Sequence, residues 1–178
     1  MAEFKTAFQK MLNHEGGYVN DPDDQGGETY KGISRTMHNH WSGWVIIDMY
    51  KNKSGFPATL DKDVELQIEI EQFYRTNFWS PLNAEHISNQ AIADSIFDFS
   101  VNAGIITSVR LTQSIVGVKA DGIIGEQTIK KLNSLDFGYF LPAFTVGKIS
   151  HYIAIIKKRP ANKKYLYGWI IRALELND

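Results

Sequence analysis

The sequence predicts a mainly α-helical fold in two packed lobes, with a short irregular loop or β-hairpin after the first helix. Three observations carry this. Apolar residues recur at three-and-four spacing through most of the chain, and one aperiodic stretch, Tyr18 to Gly32, is dense in Asn, Asp, Pro and Gly. At 178 residues the chain holds one domain, or a domain with a small appended lobe.

Phe4, Ala7, Phe8, Met11 and Leu12 form the first amphipathic stripe, and Gly16-Gly17 supplies its stop, which predicts a helix with Glu15 at its exit. The turn-formers Asn20, Asp21-Pro22-Asp23-Asp24, Gly26-Gly27 and Gly32 make the following segment a loop or hairpin, where function tends to sit. Ser34 is placed to cap a short helix running toward His40. The stretch Trp44 to Tyr50 fits helix and strand equally. After Gly55-Phe56-Pro57, Asp61 is placed to cap a long helix carrying Val64, Ile68 and Phe73, stopped by Pro81. Further helices are predicted at Asn89 to Asn102, Thr107 to Val116, Glu126 to Asn133, Phe140 to Lys157 and Lys163 to Leu176. No repeat or flexible linker divides the chain, so the lobe boundary is expected in Pro81 to Ser88, giving lobes 1–85 and 86–178.

A hydrophobic fraction of 43% supports a sizeable core, and the absence of cysteine excludes disulfides, a thiol nucleophile and thiolate metal sites. Carboxylates, hydroxyls and histidines are left for chemistry. No apolar run suited to a signal peptide follows Met1-Ala2-Glu3-Phe4-Lys5, and runs such as Ile153 to Ile156 are too short to span a bilayer, so neither a signal peptide nor stable membrane insertion is expected. The net charge of -1 hides a split: residues 1–99 carry 8 Lys+Arg against 15 Asp+Glu, and residues 100–178 carry 11 against 5. The basic excess in Lys157-Lys158-Arg159, Lys163-Lys164 and Arg172 suits either a solvated helix face or an anionic polymer. A total near zero argues against nucleic acid as partner.

The densest chemical signal is His14-Glu15-Gly16-Gly17-Tyr18-Val19-Asn20-Asp21-Pro22 with its continuation to Ile33. A carboxyl leaving a helix C-terminus meets the negative end of the macrodipole, which favours its protonated form. A carboxyl so placed is a candidate general acid. Gly16-Gly17 lets a bulky ligand approach the backbone. Counting a calcium loop from Asp21 puts Gly32 where the twelfth-position Glu belongs, so that reading fails. His38-x-His40 lacks a third clustered ligand and reads as structural; neither a metal nor a cofactor is expected.

This stretch resembles the signature of glycoside hydrolase family 108, peptidoglycan-degrading muramidases of bacteria and their phages. Phe97-Asp98-Phe99-Ser100-Val101-Asn102-Ala103-Gly104 and Asp121-Gly122-Ile123-Ile124-Gly125-Glu126-Gln127-Thr128 resemble the family's companion peptidoglycan-associated region. The resemblance implies a lysozyme-like fold, with a catalytic lobe over 1–85 and a peptidoglycan-associated lobe over 86–178. It also implies cleavage between N-acetylmuramic acid and N-acetylglucosamine, with Glu15 as the acid. The partner it implies is the wall itself, reached from the cytoplasm by an export route such as a holin. Glu28 sits where small or variable residues are equally acceptable. The order Glu15, Asp24, Thr29 is similar to that of phage lysozymes, where the last two position or activate water; Asp21 and Asp23 compete with Asp24 for that part.

Tyr18 and Tyr30 are the candidate sugar-binding aromatics, with Trp41 and Trp44 left open, since aromatics are more often core than site. Asp98 and Asn102 lie four apart on one helix face, where Asn102 either bonds an N-acetyl group or forms an internal polar tie. Two other functions fit the same residues: a lytic transglycosylase, which uses one Glu and leaves an anhydro-sugar end, and a non-catalytic wall-binding or secretion-helper protein.

Overall fold

The computed structural model describes residues 1–20 and 27–175, which divide into two compact units: Met11–Asn77, and Met1–Lys10 together with the chain from Phe78. The architecture is mainly helical, with one small two-stranded sheet after the first helix.

Helix α1 (Phe4–Leu12) stops three residues before its predicted end. The next two residues turn instead through short bonds, His14 N–H to the Met11 carbonyl (3.0 Å) and Glu15 N–H to the Leu12 carbonyl (3.1 Å), so Glu15 is carried just past the helix. Val19 then bridges Thr29, whose strand β1 (Thr29–Tyr30) pairs antiparallel with β2 (Ile33–Ser34). Lys31 and Gly32 both have positive φ, 47° and 78°, the left-handed pair of a two-residue hairpin turn whose twist matches its strands. Ser34 therefore belongs to a strand and caps no helix: the hairpin claims it opposite Thr29, and the Arg35 N–H bonds the Glu28 carbonyl at 2.8 Å.

The open stretch at Trp44 resolves as helix α2 (Gly43–Tyr50), and α3 (Val64–Tyr74) follows. The cap of α3 is Asp63, accepting from the Leu66 N–H at 2.8 Å, because a single 3-10 turn at Leu60–Lys62 occupies the predicted start. Asp61 is freed to accept from the Tyr30 hydroxyl (3.1 Å) and to pair with Lys31 (3.0 Å). Ile33, Ile47, Leu60 and Leu66 are fully buried in the core of this unit, each contributing about 1.5–3 kcal/mol.

The other unit is organised by α4 (Gln90–Ala103), buried without interruption from Ile92 to Ser100 and capped by Asn89, which accepts from the Ile92 N–H. The N-terminal segment is tied to it. The Ala2 N–H bonds the Ile87 carbonyl, Gln90 brackets the Glu3 backbone, and Lys10 pairs with Asp94 at 2.7 Å. Phe4, Phe8, Trp79 and Phe97 pack as a ring cluster. Around α4 lie α5 (Ile105–Val116), α6 (Glu126–Ser134), the long α7 (Phe137–Lys158) and α8 (Leu166–Glu175). Asp136 caps α7, which starts three residues earlier than its periodicity predicts. It buries Phe140, Phe144, Lys148 and Tyr152 at four-residue spacing, with Thr145 beside them, and is the one helix among the described residues long and apolar enough to cross a membrane by length and composition.

Candidate active site

Glu15 is half-buried, and its carboxyl lies against the hairpin turn. A methyl group placed on Gly32 would stand 2.9 Å from the Glu15 carboxyl carbon and 2.7 Å from the Tyr74 hydroxyl, so glycine alone leaves room for both. Tyr74, at the end of α3 and 1% exposed, donates its hydroxyl to the Lys31 carbonyl at 2.6 Å and fixes the turn from behind. Lys31 is held by Asp61. The neighbours of Glu15 are thus a rigid turn on one side and, at Gly16 and Gly17, backbone on which an added Cβ would meet nothing within 4 Å. The Glu15 carboxyl is thus held on a fixed base, with open backbone beside it.

Thr29 is the middle of three paired segments. Its N–H and carbonyl both bond Val19 (2.8 and 2.9 Å), and it faces Ser34 across β1 and β2. The strand that returns Thr29 is thereby registered against a segment beginning four residues after Glu15. Asp24, with its competitors Asp21 and Asp23, lies outside the described residues.

Tyr30 is 1% exposed, and its hydroxyl bonds Asp61 and accepts from the Gln67 amide (3.3 Å). Burial pushes its ionisation up, and its ring belongs to the interior of the unit. Tyr18 is half-buried, edge-on to Phe56 at 4.7 Å, and donates its hydroxyl to Glu28 at 2.8 Å; burial and that bond raise its pKa. Asn102 sits in the other unit, where it accepts from the Tyr152 hydroxyl at 3.0 Å. Its neighbour on the same face, Asp98, takes the Arg172 guanidinium in a fork at 2.8–3.1 Å. Both are internal polar ties from α4 to the last two helices.

Glu28 matters more than its sequence position suggests. Its carboxylate accepts from Tyr18 and pairs with Arg35 (2.9 Å) and Lys51 (2.8 Å), and both cations also pair with Asp48. Arg35 lies over the Trp44 ring at 4.7 Å. The Arg35 hydrogen bond holds the Asp48 carboxyl below its ordinary range. These four charges sum to zero and lock β2 to α2. No signal marks such a cluster in sequence, because its members are separated by helix and turn.

A groove of ≈ 430 Å³ runs along α3, lined by His38, His40, Trp41, Glu69, Phe73 and Asn77 among others. Trp41 donates its indole N–H to the Glu69 carbonyl at 3.4 Å, and Trp44 is buried with its N–H on the His38 carbonyl at 2.9 Å. Among the described residues no three His, Asp or Glu side chains gather as metal ligands.

Comparison with known proteins agrees with this layout. The family model "Glycosyl hydrolase 108" matches residues 8–104, and "Predicted Peptidoglycan domain" matches residues 107–174. No curated protein matches the chain. A solved structure of Brucella abortus SagA is similar at 22% identity over 97% of this chain and 90% of that one, with a TM-score of 0.70, a likeness that establishes the fold.

Proposed function

The chain belongs to the glycosyl hydrolase 108 family, and on that footing we propose that this peptidoglycan-acting hydrolase is a muramidase, cleaving between N-acetylmuramic acid and N-acetylglucosamine. The observation that carries the proposal is the seating of the Glu15 carboxyl against Gly32 and Tyr74, with open backbone beside it.

In this reading the protonated Glu15 carboxyl gives its proton to the glycosidic oxygen as the bond from the muramic anomeric carbon breaks. The positive charge spread over the ring carbon and ring oxygen is then quenched by water. Thr29 and one of Asp21, Asp23 and Asp24 hold or activate that water, and Tyr18 borders the approach. The residues matching the peptidoglycan domain keep the enzyme on its insoluble substrate, raising the local concentration of scissile bonds.

Digestion of purified peptidoglycan, followed by mass spectrometry of the soluble products, tests the reaction. New reducing muramic acid ends are expected. Exclusively anhydro-muramic ends would make the enzyme a lytic transglycosylase, and pelleting with the wall without soluble product would make it a binder.

A further inference from the structure

Helices α7 and α8 bury one face each and leave the other without a partner among the described residues. On α7, Tyr139, Val146 and Ile153 recur every seven residues opposite the buried Phe140, Phe144 and Lys148; Val146 is 64% and Ile153 44% exposed. On α8, Tyr167, Ile171 and Leu174 form a second exposed stripe, with Tyr167 80% exposed. An apolar groove of ≈ 520 Å³, lined by Leu141, Pro142, Val146, Ile149 and Leu174 among others, joins the two. At the turn between the helices stand Lys157, Lys158, Arg159, Lys163 and Lys164, all exposed, and no Asp or Glu occurs from Phe137 to Leu174.

We propose that this face of the α7–α8 pair docks on an anionic lipid surface, the aliphatic stripes entering the boundary between headgroups and acyl chains while the basic turn meets lipid phosphates. Charge complementarity and the kind of apolar surface choose the occupant. Hydrated glycan offers Val146, Ile153 and Leu174 no dry surface to cover, whereas the acyl boundary does. A second copy would bring another cationic turn to helices that carry no carboxylate from Phe137 to Leu174. Near an anionic bilayer each Lys or Arg adds roughly fivefold to binding, and Tyr139, Tyr165 and Tyr167 suit the headgroup level. The inference is independent of the assignment of Glu15.

Flotation of the full chain with vesicles tests it, comparing phosphatidylcholine alone with a phosphatidylcholine and phosphatidylglycerol mixture. Capture by the anionic vesicles only, weakened by salt, is expected. The double variant V146Q/I153Q, both substitutions at exposed sites, should partition at least about tenfold less. K157E/K158E should lose capture even where V146Q/I153Q proves poorly folded by circular dichroism. A protein that stays in the soluble fraction with both vesicles overturns the proposal, as do equal capture by both lipids and variants that bind like the parent. If vesicles capture nothing while the variants lose retention on insoluble peptidoglycan, the face belongs to the wall. If they lose only a concentration-dependent dimer, it belongs to a second copy.

Discussion

Gly32 is where backbone and chemistry meet most closely. Its φ of 78° favours glycine, and any side chain there would collide with the Glu15 carboxyl and the Tyr74 hydroxyl. Gly32→Ala should therefore cost about 1–2 kcal/mol of stability from the backbone alone, and should lower peptidoglycan turnover by about a hundredfold by displacing the acid; a melt and a rate measurement on one preparation check both. Lys148 makes a second prediction. It is 1% exposed, its ammonium bonding the Ser95 hydroxyl and the Ala173 carbonyl, and burial holds its pKa down to about 8. The unfolded chain keeps that proton to about pH 10.4. Between these values the unfolded state binds more protons, so Lys148 makes stability rise with pH from about 8 toward 10. Above about pH 10 the sign reverses, because burial pushes Tyr152 up to about 12 and the unfolded tyrosine ionises first. Denaturant unfolding between about pH 8 and 10 should show the rise in the parent and a flat line in Lys148→Met.

At the scale of elements, the hairpin has only two residues per strand, and Glu28, Arg35, Asp48 and Lys51 tie it to α2 through ion pairs. Glu28→Ala would leave Arg35, Lys51 and Tyr18 without their shared carboxylate, at a cost of about 2 kcal/mol, read as a drop in melting temperature of about 5 °C. Glu28→Gln should lose less, because its one amide oxygen can still accept from Tyr18 and Lys51, which share Oε1, while Arg35 alone loses its acceptor. The helices were legible from periodicity: the predicted cores of α4, α5 and α6 agree with the structure, and Asn89, where the first of these predictions begins, is the cap of α4. Boundaries shifted where short turns abut helices. Glu15 follows α1 in a turn that a stripe of apolar residues cannot tell from a fourth helical turn, and the 3-10 turn at Leu60–Lys62 moved the cap of α3 from Asp61 to Asp63. The Lys31–Gly32 turn was half legible, through its glycine; Lys31 at φ 47° was not, because lysine carries no preference for that region.

At the scale of the molecule, the acidic first part and basic last part acquire separate meanings. The basic part matches a peptidoglycan domain and carries the cationic α7–α8 turn, and the acidic part matches the hydrolase family and holds Glu15. The family was readable from the stretch that begins Glu15-Gly16-Gly17-Tyr18. The surroundings of the acid were not, because Tyr74 reaches Lys31 from 43 residues away and no local pattern announces it. Similar separations hid the burial of Tyr30 and the bond that Asn102 accepts from Tyr152. All of this converges on the carboxyl of Glu15. The most direct measurement is the rate at which folded Glu15→Gln, identical in shape but without a transferable proton, releases soluble fragments from purified peptidoglycan. A loss of about a thousandfold is predicted, and release at the parent rate would contradict the account.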